Sequence, residues 1–121
     1  MRPDNFHFKN GILNIEDTSL DKVVAEFKTP FYVYTKASIL EACRAYISDI
    51  DSTDLVCYAV KANSNLQLLK ILADEGLGFD VVSGGELRRV IKIGADPKKI
   101  VFSGAVSYTH LTLPTNLRVE G

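Results

Sequence analysis

Three side chains in this sequence have the type and setting to do chemistry, and the first is a lysine. After Asp54, the run Leu55–Val60 is apolar and rich in β-formers, with no charge until Lys61. An uninterrupted apolar run predicts a strand covered on both faces, the habit of parallel sheets. Lys61 then stands at the strand's carboxyl end, where α/β barrels bind their ligands. Val60 before it and Ala62 after it predict a desolvated ammonium. Desolvation frees the neutral amine to act as a nucleophile or Schiff-base former. By position alone, a lysine after a strand is more often a solvated loop residue.

Asp80 follows 19 residues later, one position into a second predicted strand. Two roles suit it: capping a neighbouring turn, or holding Lys61 by charge and hydrogen bond from the adjacent strand's mouth. The second would favour the ammonium and oppose desolvation, so the two influences on the amine have opposite signs. In Ser83-Gly84-Gly85-Glu86, Ser83 has the spacing of an N-cap and Glu86 that of its N3 partner. The two glycines would also let a ligand approach the backbone. Neither GxGxxG nor a P-loop is present, so this is no phosphate loop by motif. Cys43 and Cys57 fit no metal or disulfide-framework spacing and read as small buried apolar residues in a reducing compartment.

Four ordered blocks carry a resemblance: TPFYVYTKASI (Thr29–Ile39), YAVKAN (Tyr58–Asn63), FDVVSGGEL (Phe79–Leu87) and GADPKKIVFSG (Gly94–Gly104). Together, from about Gly11 to Gly104, they resemble the diaminopimelate decarboxylase family. These are group IV pyridoxal-phosphate-dependent decarboxylases built on the alanine-racemase-like barrel. The resemblance implies that Lys61 is the catalytic residue that carries pyridoxal 5'-phosphate covalently until the substrate amine displaces it. It implies that Asp80 belongs to the cofactor-binding site and that Glu86 stands on the active-site wall. The cofactor would act as electron sink for the carbanion left by loss of CO2. His7 does not match the family's ring-stacking histidine, which lies further along than this chain reaches, as do the phosphate-binding glycines.

The implied reaction is decarboxylation of meso-2,6-diaminopimelate to L-lysine, by a cytoplasmic homodimer with shared active sites acting on a small amino acid. This chain alone is expected to be inactive. The runner-up within the class is an ornithine, arginine or carboxynorspermidine decarboxylase, because the substrate-reading segments are absent. From other classes come a non-catalytic pyridoxal-phosphate homeostasis protein, which the segment Phe6–Ile15 speaks against, and a self-contained 121-residue binding module.

The elements that must position these residues follow from pattern. Phe6–Ile15, around Gly11, predicts a hairpin or edge strand. Thr18 to Asp21 has capping-box spacing before a helix with Leu20, Val23, Val24 and Phe27 on one face. Phe31–Tyr34 predicts a short strand whose aromatics, with Tyr58, belong to the core. Ser38 and Glu41 repeat the capping spacing, with Thr35 as an earlier start, for an amphipathic helix over 36–48. Ser64 or Asn65 would cap a helix carrying Leu66, Leu69 and Leu72 and ending at Gly76, and Asn63 would satisfy backbone groups in the turn before it. A strand at 79–82, a helix at 86–93 and a strand at 100–103 complete the set. Strand starts near 31, 55, 78 and 100 give a beat of about 22 to 24 residues, the pattern of βαβ units with a parallel sheet.

The pattern reaches parallel α/β, and the resemblance selects an incomplete (β/α)8 TIM-type barrel. A complete barrel takes about 250 residues. The expected organisation is an N-terminal strand and helix segment over 1–30, which would join a β-domain in the full protein, and a partial barrel over 31–104. Residues 105–121 are expected to be a non-native tail. Val106–Thr115, VSYTHLTLPT, is an uncharged β-prone run where a helix should begin, and it resembles the translation of a transposase mosaic-end sequencing adapter. His110 within it would then carry no functional information.

With 14 basic and 15 acidic residues, a formal net charge of −1 and 46% hydrophobic content, the 121-residue chain has a globular composition with no bias toward nucleic acid or anionic membranes. No apolar run approaches the ~20 residues of a membrane helix, and the N-terminus has no signal-peptide core.

Overall fold

The computed structural model describes residues 5–104 and the backbone of residues 118–119. Val106–Thr115 and His110 lie outside the described residues. The chain divides into two compact units, Met1–Arg44 and Ala45–Gly121.

In the first unit, β1 (Phe6–Lys9) and β2 (Ile12–Ile15) form an antiparallel hairpin in the register Phe6↔Ile15 to Lys9↔Ile12. Asn10 and Gly11 connect them with φ of 54° and 78°. A two-residue turn with both φ positive matches the right-handed twist of the strands, and Asn-Gly is its preferred pair. A third strand, β3 (Thr18–Ser19), pairs antiparallel with β2.

Helix α1 (Leu20–Phe27) is capped by Ser19, whose hydroxyl accepts from the Lys22 N–H at 3.4 Å. This corrects the expected cap at Thr18, which is committed to the β-ladder opposite Ile15. No side chain of α1 is buried, and Phe27 is 67% exposed.

Phe31–Tyr34 forms no strand, contrary to expectation: the segment has no ladder partner among the described residues. A β-prone run becomes a strand only where a neighbour supplies the hydrogen bonds. Its aromatics are not core as a group either, since Tyr32 is 93% and Tyr34 63% exposed.

Helix α2 (Lys36–Ile47) starts from the buried Thr35, whose hydroxyl accepts from the Ser38 N–H at 3.0 Å. Thr35 thus takes the capping role that the spacing also offered to Ser38, and the Ser38 hydroxyl accepts from Asn5 instead at 2.7 Å. The Glu16 carboxylate adds a bond from the Ala37 N–H at 3.3 Å.

The second unit is built on a parallel sheet ordered β4 (Cys57–Ala59), β5 (Gly78–Val81), β6 (Ile100–Phe102) and β7 (Arg118–Val119). Helix α3 (Leu66–Asp74) connects β4 to β5, and α4 (Gly84–Lys92) connects β5 to β6. The alternation predicted from the strand beat is present over this half of the chain.

Phe79 and Val81 of β5, with Ile100 and Phe102 of β6, are at most 1% exposed. The buried residues of the helices are Leu69 and Leu72 on α3 and Leu87 and Val90 on α4, with α4 against both β5 and α3. Each large apolar side chain taken from water contributes about 1.5–3 kcal/mol, so this layer holds the unit together.

Among the described residues, one sheet face is sealed in this way. Successive strand residues point to opposite faces, and Asp80 and Val101 on the other face are half-buried, as are all three residues of β4. The expected strand buried on both faces is therefore shorter and half-covered, at the edge of the sheet, and Cys57 is half-buried while Cys43 is buried. Among the described residues, no helix is long and apolar enough to cross a membrane.

Candidate functional site

Because β4, β5 and β6 run parallel, the residues that follow them leave the same edge of the sheet. That carboxyl edge is where α/β folds place ligands. Lys61, Ser83 and Ser103 all lie there.

Lys61 occupies a 3-10 turn, Val60–Ala62, directly after β4. The backbone of this turn is fixed. Val60 is fully buried beneath it, and the Tyr58 hydroxyl donates to the Asn63 carbonyl at 3.0 Å. The Asn63 side-chain oxygen accepts from the Asn65 N–H at 3.0 Å, the backbone role expected of it. The Asn65 side chain caps α3, accepting from Gln67 N–H at 2.9 Å and Leu68 N–H at 3.3 Å. From α4, Arg89 donates to the Ser64 carbonyl at 3.0 Å.

The side chain of Lys61 is treated differently from its backbone. It is exposed, and its Nζ has no hydrogen bond or ion pair among the described residues. The expected desolvation holds for Val60 but fails for Ala62, which is exposed. The 3-10 turn lifts residues 61 and 62 off the covered face, so only the first flank is enclosed.

Asp80 is the third residue of β5, aligned with Ala59 on one side and Val101 on the other. Its carboxylate accepts a hydrogen bond from the Ser103 hydroxyl, one strand away. No bond joins it to Lys61 among the described residues, so the expected ion pair is replaced by a Ser103–Asp80 pair. Glu86 accepts the Val82 N–H on its carboxylate at 3.0 Å and gives its own N–H to Ser83 at 3.2 Å. The reciprocal capping read from Ser83 and Glu86 is therefore formed, shifted by one residue on the glutamate side. One oxygen of Glu86 is thereby occupied at the start of α4.

Ser103, Tyr58 and Arg89 are the residues that sequence reasoning did not single out as parts of this edge. Ser103 had a usable signal, since it follows a predicted strand at the same end as Lys61. Gly85 leaves space: a Cβ there would meet nothing closer than the Ser83 hydroxyl at 3.8 Å. No cluster of His, Cys, Asp and Glu able to hold a metal occurs among the described residues. What the edge offers is an unengaged primary amine on a fixed turn, an anchored carboxylate, and a capped helix start with space at Gly85. A primary amine so placed can condense with an aldehyde.

Comparison with known proteins bears on which aldehyde. Residues 36–114 match the family described as pyridoxal-dependent decarboxylase, pyridoxal binding domain. Diaminopimelate decarboxylase of Pseudomonas aeruginosa is 48% identical over 102 residues, covering 84% of this chain and 25% of that protein. A crystal structure from Aquifex aeolicus superposes with a TM-score of 0.79 at 41% identity, over 86% of this chain and 26% of that one. Diaminopimelate decarboxylase of Helicobacter pylori, solved in complex with L-lysine, gives a TM-score of 0.67 at 42% identity, over 72% and 22%. The chain thus spans about a quarter of the length of the curated relatives it matches.

Proposed function

Since this chain belongs to the pyridoxal-dependent decarboxylases, within their pyridoxal binding domain, we propose that Lys61 is the residue that holds pyridoxal 5'-phosphate covalently. The observation that carries this is the combination of a fixed turn with an unengaged amine. Tyr58, Asn63 and Arg89 immobilise the backbone around Lys61 while Nζ is left exposed. A turn held for packing alone would not need a long amphipathic side chain projecting from it. Asp80 supplies a negative charge at the next strand's mouth, and Glu86 keeps the start of α4 in place. When bound, the cofactor supplies an electron sink for the carbanion left by loss of CO2. The described residues provide the covalent anchor, and the two helix starts on this edge, of α3 and α4, are already capped by Asn65 and Ser83.

In the complete protein the activity we propose is decarboxylation of meso-2,6-diaminopimelate to L-lysine, in the cytoplasm, by a homodimer. The 121-residue chain alone would not catalyse it. Residues 31–104 would be the first βα units of a (β/α)8 barrel, with 1–30 as a separate leading segment. Residues 105–121 would be a tail of adapter origin. The family match extends to residue 114, past that junction, so the coding DNA across residue 105 decides the point, and genomic DNA encoding the same tail would overturn it.

The functional test uses the complete gene product supplied with pyridoxal phosphate. Lys61→Ala should lose the visible absorbance of the attached cofactor and lower kcat by several orders of magnitude, the size expected for loss of a covalent group that other residues cannot replace. A variant that keeps the wild-type spectrum refutes the assignment. Release of lysine from diaminopimelate, compared with release of amines from ornithine and arginine, separates the proposed substrate from the runner-up.

A further inference from the structure

We propose that Ser103 is a positioning residue for this site, acting through Asp80. The inference rests on the reading of Lys61 as the cofactor-bearing amine and adds a member that neither motif nor spacing assigns.

Asp80 and Ser103 are on neighbouring strands of one sheet, and their side chains meet because of register. Asp80 is aligned with Val101, and Ser103 lies two residues beyond Val101, on the same face. The Ser103 hydroxyl donates to the Asp80 carboxylate. A hydroxyl bound to an ionised acceptor is among the stronger hydrogen bonds available to a neutral side chain.

Two backbone contacts fix where the main chain of Ser103 stands, while its side chain is exposed. The Ser103 N–H continues the ladder to the Val81 carbonyl at 3.1 Å. Gly104 is pressed against Val82 so closely that a Cβ would lie 2.3 Å from its carbonyl oxygen. Val82 is held in turn by the Glu86 carboxylate. The main chain that carries the donor is therefore held on both sides, and the bond to Asp80 orients hydroxyl and carboxylate together.

One Asp80 oxygen is occupied by Ser103, and the other has no hydrogen bond among the described residues. A carboxylate anchored through one oxygen presents the second in a fixed direction, at the sheet edge from which Lys61 also projects. Without Ser103, the Asp80 carboxylate would lose this anchor and present its second oxygen in no fixed direction. A preorganised anion is worth more beside a reacting group than one that must be oriented on demand.

The decisive test is a double-mutant cycle on the full-length protein, reading the pyridoxal phosphate concentration for half-occupancy by absorbance and, separately, kcat and KM. Ser103→Ala should change half-occupancy by about tenfold, the size of one hydrogen bond to a charged group. Ser103→Thr, which keeps the hydroxyl, should restore it. Added to Asp80→Ala, Ser103→Ala should have no further effect, because its action passes through the carboxylate. If the serine and aspartate effects are additive, or if threonine fails to restore occupancy in a folded protein, the positioning role is wrong. Should Ser103→Ala fail to fold by circular dichroism, Ser103→Cys, similar in size and a weak donor, takes its place in the cycle. Lys61→Ala separates the two readings: normal occupancy and absorbance there would overturn the anchor, whereas loss there with an additive serine effect overturns only the role of Ser103.

Discussion

Glu86 and Gly85 sit next to each other at the start of α4 and make opposite predictions. Glu86 uses its carboxylate on the Val82 N–H and its own N–H on Ser83. Glu86→Ala should lower the stability of the second unit by about 1 kcal/mol, as loss of one half of a cap does, measured by urea unfolding. A wild-type midpoint would show that the cap contributes nothing. Gly85 faces open space, so Gly85→Ala should raise stability by up to about 1 kcal/mol through helix propensity. If cofactor or substrate approaches the backbone there, the same variant of the complete enzyme should lose activity while it gains stability. A change in stability without any change in activity would remove Gly85 from the site. Lys61, Asp80 and Glu86 stand out as candidates in the sequence because a motif block carries each one. Ser103 had only its place after a predicted strand; its meeting with Asp80 depends on how β5 and β6 align, and residue spacing along one chain does not set the register between two strands.

Among the elements, legibility followed how far each one depends on distant partners. The helices at 66–74 and 84–92 carry their own caps, Asn65 and Ser83, and both were found from sequence. The strands at 57–59, 78–81 and 100–102 were found because their apolar runs are flanked by such helices. Thr18 and Ser19 are both competent caps, and the choice between them was made by the ladder to Ile15. Phe31–Tyr34 has the composition of a strand, yet composition cannot provide a neighbour. The sealed face between β5, β6 and the two helices makes the strongest stability prediction. Phe102 is 1% exposed on β6, and Phe102→Ala should cost about 3–5 kcal/mol, the range for emptying a buried aromatic position. Thermal unfolding of the chain gives the check, and a loss below about 1 kcal/mol would mean that the face collapses around the gap or is not sealed.

At the scale of the whole molecule, the two faces of the parallel sheet set what the chain can do. One face is packed by α4, with α3 against α4, and accounts for most of the buried apolar side chains among the described residues. The other carries Asp80 and Val101, half-buried, beside an exposed Lys61. In a closed barrel such a face becomes the lined interior, and the carboxyl edge becomes a mouth shared by several strands. The proposed site is therefore assembled by the complete protein rather than by this stretch, which spans about a quarter of its curated relatives. Covering that face should exclude water around Lys61, and the effect is measurable as reactivity. Amine-specific acylation followed by peptide mass spectrometry should modify Lys61 readily in the 121-residue chain, at a rate similar to exposed Lys70. In the complete protein, Lys61 should be modified far more slowly even before pyridoxal phosphate is added, while Lys70, which is paired with Asp74 on α3, should be unchanged. Equal reactivity of Lys61 in both proteins would mean that the edge stays open to solvent, so that the remaining strands do not turn this face into a lined interior.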